Sequence, residues 1–225
     1  MAKNCEACIS FKAVIFDLDG TLVNSLEDLA DSANEALCKY GYRTHPIEAY
    51  KMFIGNGVRQ LIKNAVPDDT SGEVIDRVLA DYRVIYNRNY IKKTKPYEGI
   101  PEMLNILRNI GIKMAVCSNK PHKPTIEIVK KLLGIDNFKV VFGEREGIPR
   151  KPDPSALLEA AEIMGVSPSE VIYLGDSGGD MVAAKNAGMY AAGALWGFRS
   201  REELEENGAQ VLLTKPLDLV DLIAR

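Results

Sequence analysis

Two aspartates one residue apart, Asp17 and Asp19, follow the apolar run Val14–Phe16 in the stretch VIFDLDGTLV. Alternate side chains of a β-strand share a face, so both carboxylates start on one side with Leu18 opposite. Gly20 permits a sharp turn directly afterwards and leaves its N–H accessible. A second apolar run, Val171–Leu174 in VIYLGDSGGD, ends in Asp176, with Asp180 four residues on. Aspartates also cap loops and helices, and DxDG alone fits that use. Several carboxylates meeting at one sheet edge would repel one another unless a cation offsets them. A hard divalent ion with oxygen ligands does so, and Mg²⁺ is the natural one where phosphate is also bound. Two further strand ends carry the complement. MAVCSNK closes on Ser118, Asn119 and Lys120, and GIPRKPDP holds Lys151 between Pro149 and Pro152. Singly these are ordinary turn and surface residues. Together they supply the cations and donors that an anionic substrate needs.

These groups need a frame that gathers them. Strands are predicted at Ala13–Phe16, Lys113–Cys117, Val140–Phe142, Val171–Leu174, Tyr190–Ala194 and Val211–Leu213. Between them, Pro101–Asn109, Pro124–Leu133, Pro154–Met164 and Gly179–Asn186 show apolar residues at helical spacing. The prolines suit helix starts, and Gly111, Gly134, Gly165 and Gly188 suit helix ends. Such alternation predicts an α/β fold: a Rossmann-like parallel sheet flanked by helices, with ligands beyond the carboxyl ends of its strands. From Ser25 to about Tyr90 the alternation stops, and LEDLADSANEALCKY, GVRQLIKNAV and EVIDRVLADYRVIYNRNY are helical throughout. This predicts an inserted all-helical domain over residues 25–94, an α/β core over 11–24 and 95–225, and a loose tail over 1–10. The linkers fall near Val23–Ser25 and in KKTKPYEG at Lys92–Gly99.

Composition bounds the function. The chain has 225 residues, 46% hydrophobic and 26% charged, in the ordinary range for a globular protein. A net charge of -3 gives no overall basic field for nucleic acid, so positive charge for phosphate must be local. The longest mostly apolar stretch, MYAAGALWGF, is too short to span a bilayer. The N-terminal MAKNCEACISF lacks the apolar core and cleavage site of a secretory signal, which makes the cytoplasm the expected location. The cysteines are Cys5, Cys8, Cys38 and Cys117, and the histidines His45 and His122. Cys5 and Cys8 have metal-like spacing but no second pair to complete a zinc site, so they read as free thiols.

In order, DLDGT at Asp17–Thr21, SN at Ser118–Asn119, KPDP at Lys151–Pro154 and GDSGGD at Gly175–Asp180 resemble the four motifs of the haloacid dehalogenase-like hydrolases. The resemblance covers the chain from Phe11 onward, and the helical insertion resembles that superfamily's cap domain. IGNGVRQLI, SNKP and GDSGGDMVAAKNAG are most similar to the phosphoglycolate phosphatases; YEG at Tyr97–Gly99 departs from their common YPG. The resemblance implies a Mg²⁺-dependent phosphomonoester hydrolase working through an aspartyl-phosphate. It implies Asp17 as nucleophile and Asp19 as general acid and base. Asp17, Asp176 and the Asp19 carbonyl would hold the metal, and Asp180 would orient a metal-bound water. Phosphoryl oxygens would be held by Ser118, Lys151 and backbone N–H groups near Gly20 and Asn119. In the cap, Asn56 lies in a glycine-flanked loop able to approach a ligand, and Arg59 is a candidate for a substrate carboxylate; Lys120 is a further candidate for specificity. The expected partner is a small phosphorylated metabolite, with the chain a monomer or homodimer. A phosphomutase of the same superfamily remains open at this point. So does a phosphoacceptor switch of the receiver type, although such a domain has little use for a helical insertion or an acid two residues past the nucleophile. A haloacid dehalogenase fits less well, because it lacks the second aspartate.

Overall fold

The computed structural model describes residues 11–224. The expected tail, with Cys5 and Cys8, lies outside them. Six parallel strands form one sheet: β1 (Ala13–Phe16), β4 (Lys113–Pro121), β5 (Val140–Glu144), β6 (Val171–Gly175), β7 (Tyr190–Ala194) and β8 (Val211–Leu213), in the order β5-β4-β1-β6-β7-β8. Among the sheet strands this is the 3-2-1-4-5-6 order of dinucleotide-binding folds. The first strand is central, and the chain reverses its direction of growth beside it. Phe16 pairs with Val116 on one side and Leu174 on the other, so Asp17 leaves the sheet level with Gly175 and next to Asp176.

Strand residues alternate between two buried faces, as a sheet covered on both sides requires. Val14, Phe16, Met114, Val116, Ile172 and Leu174 pack on one face with α5 (Ile100–Asn109). Ala13, Ile15, Ala115, Cys117, Val171 and Tyr173 pack on the other with α7 (Ser155–Met164) and α8 (Gly178–Ala187). The remaining core helices are α6 (His122–Ile128), which ends in a wider π turn at Val129–Leu133, α9 (Arg201–Glu206) and α10 (Asp218–Ile223). Among the described residues no helix is long and apolar enough to cross a membrane.

The insertion is all-helical: α1 (Leu26–Lys39), α2 (Tyr50–Phe53), α3 (Val58–Ala65) and α4 (Gly72–Asn89). Leu29, Ala33, Ala36 and Leu37 of α1, Leu61 and Ile62 of α3, and Val78, Tyr82 and Ile85 of α4 form an apolar cluster separate from both sheet faces. Its two connectors run side by side. β2 (Val23–Asn24) and β3 (Lys95–Pro96) pair antiparallel, an arrangement the sequence pattern did not show. Buried Asp28 on α1 clamps the return connector by accepting bonds from the Lys93 N–H (3.0 Å), the Thr94 N–H (2.8 Å) and the Thr94 hydroxyl (2.7 Å). The expected strand Lys113–Cys117 continues to Pro121 with an irregular register after Cys117. Ser118, Asn119 and Lys120 therefore lie within an irregular strand rather than in a loop beyond it.

Candidate active site

The parallel sheet brings the ends of β1, β4, β6 and β7 to one edge, and the chemistry collects there. Asp17 is fixed by its N–H bond to the Leu174 carbonyl (2.9 Å). Asp17, Asp176 and Asp180 each offer a carboxylate oxygen, all within 4.8 Å of one another. Asp176 accepts from the Thr21 hydroxyl (3.1 Å) and the Phe198 N–H (2.8 Å). Asp180 accepts from the Ser177 hydroxyl (2.6 Å) and the Tyr173 hydroxyl (3.0 Å). Lys151 reaches in beneath them, donating to Asp17 (2.8 Å), Asp180 (2.6 Å) and the Tyr173 hydroxyl (2.8 Å). An ammonium has three N–H donors. All three are used within the protein, so Lys151 as placed supports the carboxylates.

The expectation for Gly20 needs correction. Its N–H donates to the Val23 carbonyl (2.9 Å) and is not presented to a ligand. The residue matters for space and shape instead. Its φ of 86° favours glycine, and a Cβ there would lie 2.1 Å from the Asp176 Oδ2.

Asp19 turns away from this cluster. Its carboxylate accepts from the Ser25 hydroxyl (2.6 Å) and from Lys120 Nζ at 2.9 and 3.1 Å. Lys120 is buried and lies 4.8 Å from the centre of the Tyr86 ring of α4. Between the sheet edge and the insertion is a cavity of about 60 Å³, walled by Asp17, Asp19, Ser118 and Lys120 below and by Leu29, Ile54, Val58, Leu61 and Tyr86 above. Asn56 lines it. Arg59 does not: it points along the exposed face of the insertion to Asp76 (2.9 Å), because α3 turns Val58, Leu61 and Ile62 inward and Arg59 outward. The two halves are stitched at the rim. The Asn119 side chain donates to the Gly55 and Lys151 carbonyls (both 3.1 Å) and accepts from the Lys151 N–H (2.9 Å). Arg199 donates to the carbonyls of Lys51 (2.6 Å) and Ile54 (2.8 Å).

Residues 14–194 match the family described as haloacid dehalogenase-like hydrolase. The chain belongs to the haloacid dehalogenase-like hydrolases. It is 34% identical to a phosphoglycolate phosphatase of Aquifex aeolicus over 94% of this chain and 96% of that one. It is 31% identical to one of Nitrosospira multiformis over 96% and 97%. A crystal structure from Lactobacillus delbrueckii subsp. bulgaricus, itself provisionally assigned as a phosphoglycolate phosphatase, superposes with a TM-score of 0.89 at 31% identity, covering 95% of this chain and 98% of that one.

The electrostatics of this hydrolase follow from burial. Asp17 is raised from 3.8 to about 6 by desolvation, which Lys151 opposes. Burial, with Asp180 and Asp17 nearby, pushes Asp176 well above the usual carboxylate range. Burial also acts on Asp180, but Lys151 and the bonds from Ser177 and Tyr173 outweigh it and hold that carboxyl low. Burial pulls Lys151 down, and Asp17 and Asp180 more than restore it, so it stays charged. Asp17 and Asp176, which resist ionisation beside one another, form with Asp180 a hard-oxygen donor set short of positive charge, and Mg²⁺ fits it.

Five participants were not singled out from the sequence. Thr21 closes the first motif and Ser25 follows it, and both read as turn residues. Tyr173 sits inside an apolar strand, where its hydroxyl gives no pattern. Phe198 and Arg199 follow β7, and a signal for them existed: a parallel sheet sends the end of β7 to the same edge as β1 and β6.

Proposed function

We propose that the protein is a Mg²⁺-dependent phosphomonoester hydrolase that acts on a small phosphorylated metabolite, phosphoglycolate or a close analogue, through an aspartyl-phosphate at Asp17. The observation that carries this reading is the convergence of Asp17, Asp176 and Asp180 beside buried Lys151, under an apolar lid. The names of the relatives support the substrate class. Residues 25–94 act as the cap, on a core of 11–24 and 95–225.

Asp17, Asp176 and the Asp19 backbone carbonyl would hold Mg²⁺, with Asp180 supporting them. When bound, the ion offsets carboxylate repulsion and the charge on the transferring phosphoryl group. Lys151 favours the ionised form of Asp17 that attacks phosphorus. The ester P–O bond breaks, and Asp19 gives its proton to the departing alkoxide. Asp19 then takes a proton from water, which attacks the same phosphorus and returns Asp17 and inorganic phosphate. Ser118, at the cavity floor, holds a phosphoryl oxygen. The apolar cap wall excludes bulk water during transfer.

The test is phosphate release from a panel of phosphoglycolate, phosphosugars and nucleotides, with and without Mg²⁺. Mg²⁺-dependent release favouring the smallest carboxylated ester is expected. Isomer formation from a phosphosugar would point to a mutase, and no turnover of any ester would overturn the reading.

A further inference from the structure

Asp19 is held in a position that does not serve its proposed role. Both of its oxygens are engaged by one buried ammonium, and one also accepts from Ser25. A carboxylate locked by a lysine cannot approach a leaving group without giving that partner up. The Lys120 side chain, only 2% exposed, lines the cavity between the phosphoryl-binding floor and the cap. Above it are apolar residues and the ring face of Tyr86. Other cations at the cavity are otherwise engaged: Lys51 with Glu48 at the surface, Arg199 with cap carbonyls, and Lys151 with Asp17 and Asp180. Near Lys120, the hydroxyls of Tyr86 and its stacked neighbour Tyr82 are buried with no hydrogen-bond partner, rare for buried polar atoms.

We propose that Lys120 recognises an anionic leaving group, and that its salt bridge passes from Asp19 to the carboxylate of the substrate on binding. The reaction is thereby coupled to recognition. A carboxylated ester draws Lys120 off Asp19 and frees the acid; an ester with a neutral tail leaves Asp19 locked. The exchange keeps the buried ammonium paired throughout, and Asp19, which retains its bond from the Ser25 hydroxyl, takes up from solvent the proton it later gives to the alkoxide, so neither group is left as an isolated buried charge. The inference deepens the phosphatase reading and rests on it for the identity of the substrate, but the exchange can be read from binding alone.

The probes are 3-phosphonopropionate, an inert analogue with a carboxylate tail, and propylphosphonate, its neutral counterpart. Their dissociation constants are measured by calorimetry with Mg²⁺ present. The wild-type protein is expected to prefer the carboxylated probe, and Lys120→Met to lower that preference by about tenfold to a hundredfold, as for a charge-assisted bond. Asp19→Asn releases Lys120 and should increase the preference. In the double variant that increase should vanish, because it acts through Lys120. Lys120→Arg, which keeps the charge, should retain most of the preference, and circular dichroism verifies that each variant is folded. An equal preference in wild type and Lys120→Met, or an Asp19→Asn gain that survives in the double variant, would overturn the proposal. Should Lys120→Met fail to fold, the Asp19→Asn ratio decides alone: an unchanged ratio counts against exchange. Turnover of phosphoglycolate by the wild type is assayed separately. Its absence would remove the phosphatase reading while leaving the binding result to stand or fall by itself.

Discussion

Replacing Lys151 with methionine removes the one cation beneath three buried carboxylates while keeping the length and bulk of the side chain. Three bonds of 2.6 to 2.8 Å are lost, two of them to Asp17 and Asp180. Removing one partner of a buried ion pair costs about 3–5 kcal/mol. In a chain of this size that is roughly a 10 °C fall in melting temperature. The loss depends on pH, with a definite sign. A carboxyl whose folded pKa is raised contributes stability that is fully present below its unfolded value and is lost as pH rises through the folded value. In the wild type Asp17 already behaves so, moving from 3.8 to about 6, a penalty of about 3 kcal/mol at neutral pH. Without Lys151 the Asp17 carboxyl rises further, and Asp180 loses the partner that holds it low. The deficit should therefore be smaller at pH 4, where Asp17 is mostly protonated and Asp180 alone still needs the cation, and largest at pH 8. Urea unfolding in EDTA at both pH values measures this, and added Mg²⁺ should restore part of the loss at pH 8. A deficit that is the same at both pH values would show that the lysine does not balance these carboxylates.

Other parts of the account make separate predictions. Gly20→Ala forces a side chain against Asp176 at a positive φ, and should weaken Mg²⁺ binding by about tenfold or more by calorimetry; unchanged affinity would mean that Asp176 is free to move. Asp28→Ala leaves the donors of Lys93 and Thr94 without their acceptor, and should cost about 3 kcal/mol in urea unfolding, whereas a loss under 1 kcal/mol would argue that water replaces the clamp. Arg199→Ala removes the bonds to the Lys51 and Ile54 carbonyls. It should loosen the cap, seen as a larger radius of gyration in solution scattering and a raised KM, and no change in either would mean the seam holds without it.

Much of the frame was legible because the pattern of apolar residues has one physical cause. Tyr190–Ala194 and Val211–Leu213 form strands where the runs predict them, and the three long helical stretches of the insertion fold as α1, α3 and α4. The carboxylates were legible because sheet topology sends strand ends to one edge. Partnership was less legible. Lys151 has the charge that suits a phosphate, yet its neighbours claim every donor it has. Gly20 was read for its N–H and proves to matter for its missing Cβ. Arg59 was read for its charge, but helix phase decides which way a side chain points, and Val58 and Leu61 take the inward positions. The pairing of β2 with β3 involves two residues on each side, too few to leave a periodic trace.

The central claim, that Asp17 takes the phosphoryl group, is tested most directly by rapid acid quench during turnover of phosphoglycolate with Mg²⁺, followed by peptide mass spectrometry. The account predicts a transient phosphoryl group on the peptide bearing Asp17, absent from Asp17→Asn. Steady turnover with no phosphopeptide at any quench time, or undiminished turnover by Asp17→Asn, would contradict it.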